Sequence, residues 1–301
     1  MGLLSLVSAR GSPGVTTTAL AMTLTWGAQR MVLAECDPAG GTVRAGYLRG
    51  EMEGELGLTP LALSMLRAGP THPGPPARPG QPPASRPLSE MVWGQLVDLD
   101  APHRERLVLP GLADPAQSAM VAPLWPQLTT VFEQLGQRQP GYDVVADCGR
   151  LHATANIPWP VLTASQLVLL VVRSELTSVS AAMSAVGLLQ RQLRERSGND
   201  QTLGVLLIGE RPYSAASVAE HLGVPVITVL PYDVKTATAL SRGGPYRLRS
   251  PLIRAALGAE RDIRRAMRAR ETPRAVTAAP RPGGMLPPGA SGQPGQVARR
   301  G

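Results

Sequence analysis

The residues that could do chemistry fall in three short stretches. The first is SARGSPGVTTTALA, Ser8 to Ala21, set between the apolar run LLSLV and ALAMTLTW, which reads as a helix. A strand, a Gly-rich turn, a run of hydroxyls and a helix start together make a cradle for phosphate. Backbone N–H groups and the positive end of the helix face the anion. Gly11, Ser12 and Gly14 supply the turn, Arg10 a charge, and Thr16 and Thr17 hydroxyls for phosphate or Mg2+. The residue before Thr16 is Val15, where such loops carry a lysine, and Pro13 removes one N–H donor. The second stretch pairs ECDPAGG, 35–41, with YDVVADCG, 142–149, so that Asp37 and Asp147 each end an apolar run. The third is LPYD, 230–233, with Pro231 and Asp233 in a turn. An Asp at a strand end can hold a metal or a water, or simply cap the next turn or helix.

Positioning those residues requires a sheet. Apolar runs at 3–7, 30–37, 106–111, 142–149, 165–172, 203–210 and 224–233 read as strands. SQLVLLVV is near-continuous, as a parallel strand covered on both faces must be. Helical patterns occupy 16–28, 58–69, much of 119–136, about 176–196 and the segment ending at Gly223. The alternation predicts an α/β fold with a mainly parallel sheet and helices on both faces. Ligands of such sheets sit beyond the carboxyl ends of the strands, where Asp37, Asp147 and the 231–233 turn fall.

Composition narrows the class. The chain has 301 residues, 43% of them apolar and only 3% aromatic, so its core is Leu, Val and Ala. No apolar run reaches the roughly 18–20 residues that span a bilayer, and the N-terminus lacks signal-peptide features. Cys36 and Cys148 are expected as reduced thiols in a cytoplasmic protein. The net charge of +8 is unevenly placed. From Arg242 onward thirteen arginines face three acids, a net +10, so the first 241 residues sum to −2. Lys235 is the single lysine among 30 basic residues.

The four elements in order carry a resemblance. RGSPGVTT, 10–17, ECDPAGG, YDVVADC and LPYD resemble the motifs of the ParA/MinD group of deviant Walker A ATPases, which includes TadZ/CpaE-type proteins. The resemblance covers about residues 1–250 and implies a P-loop NTPase fold with ATP and Mg2+ as cofactors. Asp37 takes the position that organises the hydrolytic water, with Glu35 before it. Asp147 and Thr16 take the metal side, and Pro231 and Asp233 the turn beside adenine. Gly11, Ser12, Gly14, Val15, Thr16 and Thr17 take the cradle, and Arg10 the place of the signature lysine. Three readings follow: a protein that binds ATP with slow or no hydrolysis; an active ATPase, using Arg10, that positions DNA, septum or secretion and pilus machinery; or a nucleotide-independent scaffold. The resemblance further implies a homodimer and a protein partner.

The ends complete the picture. THPGPPARPGQPPASRP, within an insertion at about 70–88, is expected as a disordered loop. Residues 251–270 predict an amphipathic helix rich in arginine, and 271–301 a disordered Pro/Gly/Arg tail. Arginine-rich polar faces suit anionic membrane or non-specific DNA, hence a cytoplasmic protein with peripheral membrane or nucleoid contact.

Overall fold

The computed structural model describes residues 2–10, 14–27, 30–52, 54–68, 87–137, 140–151 and 156–271. Gly11 and Ser12, most of the Pro-rich insertion and the tail from 272 lie outside the described residues.

In chain order the elements are β1 (Leu3–Ser8), α1 (Val15–Thr25), β2 (Arg30–Glu35), α2 (Leu58–Ala68), α3 (Leu88–Trp93), β3 (Val97–Asp98), β4 (Arg106–Leu109), α4 (Ser118–Val121), α5 (Trp125–Gln137), β5 (Tyr142–Arg150), α6 (Trp159–Ala164), β6 (Leu167–Arg173), α7 (Leu176–Ser197), β7 (Leu203–Ile208), α8 (Ala215–Leu222), β8 (Val226–Leu230), α9 (Val234–Arg242) and α10 (Pro251–Glu271). They build one eight-stranded sheet in the order β3-β4-β2-β5-β1-β6-β7-β8. Among the described residues only the two-residue edge strand β3 runs antiparallel. The α/β fold with a mainly parallel sheet and helices on both faces is the one read from the sequence.

Side chains alternate along each strand, so every central strand feeds two cores. Leu3, Val7, Val144 and Ala146 point to the layer that holds α2 to α8. Leu4, Leu6, Val145 and Leu169 point to the layer of α1, α9 and α10. Both faces being covered, β1 and the first eight residues of β5 are wholly buried.

The helix at 251–270 belongs to this body. The compact unit runs to Glu271. Leu252, Ile253, Ala256, Ile263 and Met267 are buried in the second core against α1 and β8. The apolar stripe read from the sequence therefore faces the protein's own sheet. Arg254, Arg261, Arg265 and Arg268 remain exposed. Among the described residues no helix is long and apolar enough to cross a membrane.

Candidate functional site

A cavity of about 750 Å³ opens where β1, β5, β6, β7 and β8 end. Its floor includes Ser8, Gly149, Arg173, Ile208 and Leu230, each at or near a strand's carboxyl end. The N-terminus of α1 forms one wall through Gly14–Thr18, and α9 forms the opposite one through Ala237, Thr238 and Ser241. The sheet order explains the position. β1 is a central strand from which the chain turns into α1; its end, Ser8, pairs with Arg150 at the end of β5 and with Val171, two residues short of the end of β6.

The helix start is bare. Gly14, the N-cap residue, sits in the left-handed region at φ 102°, and among the described residues no side chain is seen to cap the first turn. Added bulk at Gly14 would meet the Ile208 side chain at 3.3 Å, so glycine suits the position twice over. The first N–H groups of α1 thus keep the partial positive charge that binds anions. Val15, in the lysine position, is 6% exposed and packed in the second core. The loop offers no cation there.

Thr16 and Asp147, which the resemblance places on the metal side, are hydrogen-bonded to each other. The Thr16 hydroxyl donates to Asp147 Oδ2 at 2.5 Å, and the Gly149 N–H donates to Oδ1 at 2.9 Å. Asp147 is 1% exposed, and among the described residues no ion pair reaches it. Burial pushes its carboxyl up to about 7; the Thr16 and Gly149 hydrogen bonds pull down, and the charges of Glu35 and Asp37 push up further. A carboxylate held this way gains from a cation arriving in the cavity.

Asp37 lines the cavity, and its Oδ1 accepts the Ala39 N–H at 2.8 Å. It packs against Gly149 so closely that a Cβ there would lie 2.0 Å from the Asp37 carboxyl. Gly149 adopts φ +62°, so both space and backbone require glycine. Glu35, paired with Asp147 across β2 and β5, does structural work. It accepts the N–H groups of Thr42 at 2.7 Å, Val43 at 2.9 Å and Gly111 at 3.0 Å. Burial raises its pKa; those three bonds act against the rise. Its task is to pin the 40–43 loop beside the cavity.

The third stretch divides. Pro231 lines the cavity. Asp233 lines it too, but its carboxylate is engaged as the N-cap of α9. It accepts the Thr236 N–H at 3.1 Å, the Thr236 hydroxyl at 2.7 Å and the Leu252 N–H at 3.3 Å. Desolvation raises its pKa, and the Thr236 bonds, the Leu252 bond and the Lys235 charge together outweigh it, so the net shift is downward. Thr17 lines the wall, its hydroxyl 3.3 Å from that of Ser241. Arg10 is exposed and is not among the lining residues.

Sequence reasoning missed α9, Tyr47, Arg150, Arg173 and Tyr232, all of which line the cavity. The signals were present. Asp233 and Gly243 bracket α9 as cap residues, and Arg173 is the charge that closes the apolar run LVLLVV.

Chemically, the cavity is lined by the start of α1, the Thr16 and Thr17 hydroxyls, the Asp37 carboxylate and an apolar slot of Ile208, Leu230 and Val234; buried Asp147 is not itself a lining residue and reaches the cavity through its contact with Thr16. Among the described residues no group of three His, Cys, Asp or Glu forms a ready-made metal cage. Mg2+ typically takes one or two protein oxygens plus substrate phosphates, and Thr16 Oγ1 with Asp147 Oδ2 is a set of that kind. Cys36 and Cys148 are free and buried, and burial pushes both thiols up.

The sequence matches no known family profile and no curated protein. The fold does find counterparts among solved structures. Pyrococcus horikoshii MinD, complexed with Mg-ADP, superposes with a TM-score of 0.61 at 16% identity, over 89% of this chain and 98% of that one. A ParA family ATPase from Chlorobium tepidum gives 0.60 at 12% identity, over 86% and 98%. Cyanothece McdA in complex with ATP gives 0.58 at 14% identity, over 87% and 96%. With the sheet order and the strand-end cavity, these likenesses establish that the chain has the MinD/ParA-type P-loop fold.

Proposed function

We propose that this protein is a MinD/ParA-like spatial-organisation or regulatory factor that binds ATP with Mg2+ in the cavity and hydrolyses it slowly or not at all. The observation that carries the reading is the Thr16–Asp147 pair, 2.5 Å apart at the foot of an uncapped helix. It supplies two oxygens for Mg2+ beside a cradle for phosphate. The missing charge at Val15 argues against fast chemistry, because charge developing on the γ-phosphoryl is what a loop lysine stabilises.

Occupancy rather than turnover would then be the signal. A bound nucleotide favours a homodimer, and the dimer presents a surface to a protein partner. The exposed arginines of α10 add weak, salt-sensitive attraction to DNA or to an anionic membrane. Since most of the apolar face of α10 is buried, Leu257 excepted, such contact would be mainly electrostatic, and the reading is of a cytoplasmic protein, at most peripheral to membrane or nucleoid. An ATPase that turns over with Arg10 as its cation is the second reading. Arg10 is exposed and absent from the lining of its own cavity, which favours action across a dimer.

Calorimetric titration with ATP and Mg2+ tests the first reading, against an Asp37→Ala/Asp147→Ala control. Micromolar binding that the control loses is expected. No binding up to millimolar ATP would leave a nucleotide-independent scaffold. In turnover assays, a large gain on Val15→Lys marks the native protein as slow by design. Loss of an existing turnover on Arg10→Ala marks it as an active ATPase.

A further inference from the structure

The charge absent from the loop has a counterpart on the neighbouring strand. β6 pairs with β1 in parallel, Val171 opposite Ser8, so Arg173 stands two residues beyond the point where β1 gives way to the loop. Its side chain lines the same cavity as Gly14–Thr18. The guanidinium lies over the Tyr232 ring, 5.1 Å from the centroid, and the ring is itself 59% exposed. Stacking on an aromatic face holds a guanidinium plane without using any of its N–H donors. Arg173 Nε is buried and finds no acceptor among the described residues. A buried N–H left without an acceptor costs free energy that an incoming anion recovers.

These observations concern one residue in one cavity, and they agree. An arginine rests against a ring, lines a chamber that also receives the N-terminus of α1, and has an Nε–H short of an acceptor. Planar, multi-donor guanidinium groups suit phosphate oxygens, which accept two N–H bonds at once. Resting on the nucleotide reading above, we infer that Arg173 is the phosphate-binding cation of this cavity, replacing from β6 the charge that Val15 cannot supply from the loop. Tyr232 acts on the phosphate only through Arg173 and is a positioning residue. The arrangement also separates affinity from catalysis. A cation stacked on a ring recognises a polyphosphate already present, whereas a loop lysine follows charge as it develops on the transferring group.

The test titrates the full-length wild type, Arg173→Gln, Arg173→Lys and Tyr232→Leu with ATP, ADP, AMP and adenosine in Mg2+, and with tripolyphosphate. Circular dichroism and thermal melting check that each variant folds. For Arg173→Gln, ATP affinity is expected to fall by about ten- to a hundredfold, ADP less, and adenosine not at all. Arg173→Lys should recover part of the loss, and Tyr232→Leu should show a smaller loss with the same ranking. Equal losses across all four adenine ligands would assign Arg173 to the base and overturn the inference, as would unchanged ATP binding in a folded Arg173→Gln. Tripolyphosphate separates this inference from the nucleotide reading. If the wild type binds tripolyphosphate through Arg173 but binds no ATP, the nucleotide reading falls and the cation assignment stands. If the wild type binds neither, both fall.

Discussion

Strand β5 carries two buried aspartates four residues apart, Asp143 and Asp147, and they are treated in opposite ways. Both face α1, since residues four apart on a strand share a side. Asp143 lies beside Trp26, just past the C-terminus of α1, where the helix end is negative and a carboxylate is unwelcome. It is fully compensated. Arg264 Nη2 donates to it at 2.8 Å and the Trp26 indole N–H at 3.0 Å. Arg264 also donates to Glu260 at 2.9 Å and lies 5.4 Å from the Trp26 ring centroid. Asp147 lies under the other end of the same helix, where the dipole is favourable, yet its partners are a hydroxyl and an N–H, and its charged neighbours are Glu35 and Asp37. A buried carboxylate with its own arginine is part of the framework. One left without a cation, beside a cavity, is fitted for a cation from outside.

Removing the arginine from the paired end should do the greatest damage. Arg264→Met leaves Asp143 buried without its guanidinium, a loss of up to about 3–5 kcal/mol, read by urea denaturation. Asp143→Asn added to Arg264→Met should recover part of it. At the other end the sign reverses. Asp147→Asn removes a carboxyl whose pKa is pushed up from 3.8 to about 7, and asparagine can accept the Gly149 N–H and donate to Thr16. Stability at pH 8 should rise, by at most about 4 kcal/mol, while Mg2+-dependent nucleotide binding is lost. If both variants destabilise equally, the contrast between the two ends fails.

The pH profile sharpens the same contrast. Between about pH 4 and 7 the folded protein holds a proton on Asp147 that the unfolded chain has released. Stability therefore falls as pH rises through that window and levels off above it. Glu35, raised in the same direction, adds to the slope. Asp147→Asn should flatten the profile. Saturating Mg2+ with ATP should flatten the wild type too, because a bound cation holds the ionised form.

The fold was largely legible because parallel strands buried on both faces announce themselves as apolar runs, and because Thr16, Asp37 and Asp147 each follow one. The cavity's far wall was not. α9 begins at Val234, directly after the 231–233 turn, and its only marks are the caps Asp233 and Gly243. Arg173 escaped because a charge ending a strand looks the same in sequence whether it meets solvent or a chamber. The apolar face of α10 was legible but its target was not: Leu252, Ile253 and Ile263 fix an amphipathic helix without saying that α1 and β8 cover it. Asp233 is the converse case: it lines the cavity, as a turn acid beside a ligand site reads, but its oxygens also accept from Thr236 and Leu252, a cap role that the sequence does not separate from a contact.

Gly149→Ala carries the next effect in size. A methyl group there would lie 2.0 Å from the Asp37 carboxyl, on a backbone at φ +62° that alanine adopts only under strain. The strain is about 1–2 kcal/mol, and Asp37 must swing away from the cavity. Nucleotide binding or turnover that depends on Asp37 should fall further than the melting temperature does; a large melting shift with unchanged binding would separate Asp37 from the site.

Thr16→Val makes the smallest change and isolates the hydroxyl. Valine keeps the shape and removes the donor to Asp147 Oδ2. The lost hydrogen bond is worth about 1 kcal/mol, and without it the Asp147 carboxyl rises further, because the Thr16 bond is the strongest influence holding it down. The fold should tolerate that, since a protonated Asp147 needs no cation. Binding should not: Mg2+ loses one oxygen and must ionise a more reluctant carboxyl. A small stability change with a large drop in Mg2+-dependent ATP affinity, partly restored at higher pH, is the expected pattern. The pH rescue is what a purely structural threonine would not give. If affinity for ATP with Mg2+ survives in Thr16→Val at pH 7, the bare helix end and its surroundings hold the phosphates alone, and the Thr16–Asp147 pair belongs with Asp143 and Arg264 in the framework.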